Sequence, residues 1–127
     1  MSSTEVHNAS RDAAAGTVDM RLEVQIIPVS DVDRAKQFYQ RLGWRLDADD
    51  APLEGLRIVQ FTPPGSGASV TFGTGLTRAA PGSAEGGLIV SGIEAAHAEH
   101  EKRAGRSHLF HRSGHDEDWP AWYAASW

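Results

Sequence analysis

Two stretches of this chain repeat one plan, and that repetition limits the folds open to it. VQIIPVSDVDRAKQFYQRLG (residues 24–43) and GGLIVSGIEAAHAEHEKRAG (86–105) each read as an apolar strand, a Val-Ser turn and an amphipathic helix closed by glycine. The chain is therefore an internal duplication of a strand–helix unit, and its second copy is followed by fewer strand-like segments than its first. Such a unit buries its helix stripe against its own sheet, which makes a layered α+β fold.

The local signals fill in the rest. RLEVQIIPV (21–29) is rich in aliphatic and β-branched residues and stops at Ser30-Asp31, a helix cap. Val32, Ala35, Phe38, Tyr39 and Leu42 then recur at helical spacing, and Gly43 is placed to end the helix. Residues 44–47 read as a short strand broken by Asp49-Asp50-Ala51-Pro52. LRIVQFT (56–62) and ASVTFG (68–73) are strands joined by the loop Pro63-Pro64-Gly65-Ser66-Gly67. After a connector of small residues come a strand (86–92), a helix (93–105) and a short strand (107–112). Residues 1–19 are small, polar and aperiodic and are expected to form an arm, with 20–127 as a single domain.

The last segment, DEDWPAWYAASW, places Trp119, Trp122, Tyr123 and Trp127 at i, i+3, i+4 and i+8. That spacing predicts a C-terminal aromatic helix with Asp116 or Asp118 as its N-cap and Pro120 in its first turn. A nine-residue helix is not stable alone in water, so the stripe is expected to cover an apolar face, in its own chain or across a two-fold dimer.

With VSDVDRAKQFYQRLGWRLDAD, VQFTPPGSGASVTFGTGL and GLIVSGIEAAHAE in view, the chain resembles the vicinal oxygen chelate superfamily, which groups glyoxalases, bleomycin-resistance proteins and extradiol dioxygenases. The resemblance covers roughly residues 21–100. It implies a βαβββ module followed by a shortened βαβ module, a curved sheet enclosing a cavity, and in most members a divalent metal. The positions that this resemblance matches to metal ligands hold Val24 on the first strand, Glu85 at the start of the second copy and Thr71 on the fourth strand. Valine cannot coordinate and threonine is a poor ligand, so no metal and no other cofactor is expected.

Strand parity selects the cavity face. Val24, Ile26 and Pro28, then Ile58, Gln60 and Thr62, then Ser69 and Thr71 should share it, an apolar bowl with a few groups able to orient a ligand. The ligand-binding set is thus Val24, Ile26, Ile58, Gln60 and Thr71, with Trp122 added from the terminal stripe. For proton transfer the candidates are His111, taken to face inward from strand 107–112, and Glu85. His97, His100 and Glu101 are near neighbours on one helix and form either a two-point ligand set or a solvated polar face.

These residues support a metal-independent lyase or isomerase acting on an apolar or aromatic ligand. Two alternatives stand beside it: a bleomycin-resistance-type protein that sequesters a small molecule unchanged, and a dimerising remnant or engineered chain without a ligand. Either functional form is expected to be a homodimer. Net charge is −5, with 12 Lys and Arg against 17 Asp and Glu, and no basic cluster marks a nucleic-acid partner. There is no cysteine, no apolar run long enough for a membrane span and no signal-peptide pattern, so a cytoplasmic protein is expected.

Overall fold

The computed structural model describes residues 18–104, 118–119 and 121–126. Its elements run β1 (Val24–Ile26), α1 (Val32–Arg41), β2 (Arg45–Leu53), β3 (Leu56–Thr62), β4 (Ser69–Thr74), β5 (Glu85–Val90), α2 (Ile93–Ala104) and β6 (Ala121–Ser126). The first four strands form one sheet in the order β1-β4-β3-β2, with β1 parallel to β4 and the other pairs antiparallel. β5 and β6 form a second, parallel sheet.

The duplication is visible in the pairing. β1 and β4 are a parallel pair that brackets α1, and β5 and β6 are a parallel pair that brackets α2. β6 thus holds in the second module the place that β4 holds in the first. The connector between α2 and β6 (residues 105–120) is little more than half as long as the one between α1 and β4 (42–68), which carries two strands.

α1 forms where its capping signals say it should. The Asp31 side chain accepts from the Arg34 amide at 3.0 Å, and Gly43 ends the helix at φ +83°, a left-handed conformation that glycine adopts without a Cβ clash. Its buried face, Ala35, Phe38 and Tyr39, lies on Val59, Phe61, Val70 and Phe72 of β3 and β4. The Tyr39 ring is 5.7 Å from both Phe61 and Phe72, which makes a continuous aromatic core. At the rim of the same face Arg57 bridges Asp49 (3.0 Å) and Asp33 (2.9 Å), while Lys36 reaches Asp49 at 2.7 Å. These pairs tie the helix to β2 and β3. Hydrogen bonds from Arg57 and Lys36 hold the Asp49 carboxyl well below the usual carboxylate range.

Three expectations need correction. The tryptophan segment is a strand, β6, and not a C-terminal helix. β5 would otherwise present unpaired backbone groups on both edges, and Pro120 biases the preceding Trp119 toward extended backbone, so pairing wins over the helical spacing of the rings. Asp118 caps a different helix. Fully buried, it accepts from the Ser30 amide (2.9 Å), the Ser30 hydroxyl (2.8 Å), the Asp31 amide (2.7 Å) and Arg34 Nη1 (2.6 Å), all at the start of α1. The positive end of α1 and the Arg34 guanidinium therefore hold the second module's end in place.

The aromatic terminus also covers a different surface from the one expected. Trp119 stacks on Phe38 with ring centroids 4.0 Å apart, under the Arg34 guanidinium. Trp122 donates its indole N–H to the Tyr39 hydroxyl at 3.2 Å and packs edge-on against Trp44. Both rings join the core on the α1 side and not the open face of the sheet. Gly86 makes room for this, since an added Cβ would lie 2.3 Å from Trp122 Cζ3. Tyr123 and Trp127 have no described side chains.

Finally, β2 runs on through Pro52, where the sequence predicted a break. It is an edge strand with a register shift between Asp50 and Leu53, and both features accommodate a residue that cannot donate to a ladder.

Candidate functional site

The sheet face opposite α1 is assembled from cross-strand neighbours. One row runs Ile26, Thr71, Gln60 and Ala48 across the four strands, and Val24 stands beside Ser69 in the row below. Ile58 sits two residues from Gln60 on the same side of β3. Val24, Ile26, Ile58, Gln60 and Thr71, selected by parity, thus share one face. Val24 and Ile26 are 41% and 49% exposed, Ile58 and Gln60 are half-buried, and Thr71 is buried among its neighbours. The alternation continues upstream, with Val18, Met20 and Leu22 all strongly exposed.

A polar track crosses this apolar face. Thr62 and Ser69 share a hydroxyl–hydroxyl hydrogen bond of 2.7 Å, Thr62 donates to Asp47, and Gln60 Nε2 reaches the same carboxylate at 3.3 Å. Arg45 Nε closes the track on Asp47 at 2.6 Å. The Thr62 and Arg45 hydrogen bonds hold the Asp47 carboxyl below its ordinary range. It therefore offers a fixed negative acceptor at neutral pH and is poorly suited to giving up a proton there.

Sequence reading missed Asp47 for a definite reason. Leu46 pairs with Phe61 and Ala48 with Gln60, so one extra residue is accommodated between them. Arg45, paired with Thr62, and Asp47, two residues on, share the open face, and the bulge brings Ala48 onto it as well.

Of the groups expected to transfer a proton, Glu85 is not brought to this face. Glu85 opens β5, exposed, in the separate two-stranded sheet. His111 lies outside the described residues. Trp122 is a core residue, as described above. On α2, His100 is buried with its ring 6.2 Å from Phe38, so the helix does not present His97, His100 and Glu101 as one solvated face. Among the described residues no three His, Cys, Asp or Glu side chains are grouped to hold a metal ion. Together with Val24 and Thr71 at the positions matched to ligands, this donor set does not fit the metal that the resemblance implies. No helix of the described residues is long and apolar enough to cross a membrane.

Comparison with known proteins agrees with this geometry. Residues 25–51, covering α1 and most of β2, match the family model "Bleomycin resistance protein-like N-terminal". No match is found among curated proteins. Among solved structures the chain is similar to TnmS3, an antibiotic binding protein from Streptomyces sp. CB03234, at 29% identity and TM-score 0.59 over 68% of this chain and 73% of that one. A glyoxalase/bleomycin resistance protein from the same organism is 30% identical at TM-score 0.57, over 65% of this chain and 74% of that one. A glyoxalase/bleomycin resistance protein/dioxygenase superfamily member from Sphaerobacter thermophilus DSM 20745 shares the fold at TM-score 0.65 and 22% identity, over 86% of this chain and 98% of that one.

Proposed function

Because this chain belongs to the glyoxalase/bleomycin-resistance superfamily, we propose that it binds an apolar or aromatic small molecule on the open face of its four-stranded sheet and holds it unchanged. The observation that carries this reading is the pattern of that face. Val24, Ile26 and Ile58 supply apolar contact, Gln60 supplies an amide for orientation, and Asp47 supplies a carboxylate fixed in its charged form. Val24, Ile26 and Ile58 are each partly exposed, so a ligand on this face gains apolar burial from all three. The similarity to an antibiotic binding protein supports sequestration. Proton-transfer chemistry draws no support from Glu85, which stands in the other sheet.

For the part of this side that the ligand leaves open, at Val18, Met20 and Leu22, we infer a second copy of the chain as the partner. Val18, Met20, Leu22, Val24 and Ile26 form an exposed aliphatic stripe at strand period that continues from β1, and a soluble chain gains by covering it. The reading is tested by native mass spectrometry and calorimetry with a panel of apolar aromatic antibiotics, with and without chelator. The expected result is stoichiometric binding, insensitive to chelator, with the compound recovered intact. A chemically altered product would refute sequestration, and a Leu22→Asp chain that stays dimeric would refute the dimer surface.

A further inference from the structure

We propose that the cleft where the second module meets the first is a second small-molecule site, one that takes a flat, uncharged aromatic compound of about two fused rings. The cleft has a volume of about 300 Å³ and shares no residue with the open sheet face. Trp44 forms its floor. That indole is half-buried, braced by Tyr39 at 4.9 Å and by Trp122 at 5.5 Å, so its position is fixed before any ligand arrives. Leu42 and Pro63 continue the wall from the first module, and Leu88, Val90 and Ala96 face them from β5 and α2.

The shape and charge of the cleft select the ligand. An apolar cavity of ~150 Å³ accommodates benzene, so one of twice that volume suits two fused rings. Trp44 and Pro63 offer flat surfaces for stacking. The charged groups at the lip, Glu99 and Arg103, are paired with each other one helical turn apart. Arg103 also rests against the glycine that ends α1, where an added Cβ on Gly43 would lie 3.1 Å from Nη1. This surface pair leaves no net charge at the lip to hold an ionic ligand, which favours an uncharged one. Pockets of this size with apolar walls and few polar groups occur where two packed units meet.

The probe is naphthol, titrated into the full chain by calorimetry. A saturable site at the cleft is expected. Ala96→Leu, which fills the cleft from α2 without removing a contact, should weaken binding at least about tenfold, equivalent to ~1.4 kcal/mol. Arg78→Ala, an exposed connector residue outside both sites, should leave it unchanged. Should Ala96→Leu fail to fold, the unaltered protein still decides the matter through NMR contacts from the naphthol ring to the Leu42 and Leu88 methyl groups. No saturable heat up to the solubility limit, binding indifferent to Ala96→Leu, or ring contacts to Ile26 and Ile58 with none to Leu42 and Leu88 would each overturn the proposal. The open-face reading survives those outcomes, because it is tested with other ligands and other variants.

Discussion

The two modules descend from one plan but are stabilised in different ways. In the first, α1 buries Ala35, Phe38 and Tyr39 on four large residues of its own sheet. In the second, β5 has no fully buried residue and α2 buries His100 where the Val-Ser turn places the first module's Tyr39. Its principal buried groups, Asp118, Trp119 and Trp122, spend their contacts on α1 instead of on a core between β5, β6 and α2. A copy that gives up self-sufficiency can keep its outline if it docks on the copy that retained it.

That contrast can be broken experimentally, most severely at Trp122. Trp122→Ala removes a ring shared by Tyr39, Trp44 and Gly86 and should destabilise the protein by about 3–5 kcal/mol in denaturant titration. The largest loss should fall in β5 and β6, read by amide hydrogen exchange. Uniform loss across both modules would mean that the second is not a dependent unit.

Asp118→Ala should cost about 2 kcal/mol, toward the low end for a buried charge partner because Arg34 is half-exposed and solvent-screened. Burial alone would raise the Asp118 carboxyl, but hydrogen bonds from Arg34 and from the Asp31 and Ser30 amides outweigh it and hold the group below its ordinary value. Its folded pKa is therefore lower than the unfolded one near ~3.9. The stabilisation is present above that pH and is lost as pH falls through the folded value. Acid titration of the melting temperature should accordingly show a shallower decline below pH ~4 in Asp118→Ala than in the parent.

Tyr39→Phe probes the joint between modules more gently. Burial pushes the Tyr39 phenol far above its usual range, against the smaller lowering effect of the Trp122 hydrogen bond. A raised folded pKa gives stability that is complete below pH ~10 and is lost as pH rises above it. The variant should lose about 0.5–1.5 kcal/mol at neutral pH through the missing acceptor. It should also resist alkaline unfolding better than the parent, as followed by circular dichroism.

The smallest effect is expected on the open face. Gln60→Ala should weaken a sheet-face ligand by about 0.5–1.5 kcal/mol while leaving the melting temperature nearly unchanged. Should stability fall and affinity hold, Gln60 belongs to the Asp47 track alone.

Much of the first module was legible because its signals agree. β3 matches the sequence-predicted strand at both ends, α1 begins at Val32 as its cap requires, and the duplicated Val-Ser turns precede both helices. Parity set Val24, Ile26, Ile58, Gln60 and Thr71 on one face, as the pairing has them, because β1, β3 and β4 keep strict alternation where they pair. Asp47 escaped because the bulge sets both Asp47 and its neighbour Ala48 on the open face, so no single alternation along β2 marks that face. The terminal strand escaped because four aromatic rings fit a helical stripe as well as an extended chain, and the deciding factor was the vacant edge of β5, more than thirty residues earlier. His100 was readable in principle, since aligning the two turns sets it on Tyr39, a core position.

The Asp118 contact also has a bearing on how the chain is made. Its acceptor oxygens meet residues more than eighty positions upstream, so during synthesis α1 must form and settle on its sheet with only Asp31 at its cap. Phe38 and Tyr39 remain partly uncovered until the tryptophans arrive. The interval between emergence of β4 and emergence of β6 is then the period when an incomplete chain shows its aromatic core to other nascent chains. Stalling in that interval should favour aggregation, and release of the last strand should end it.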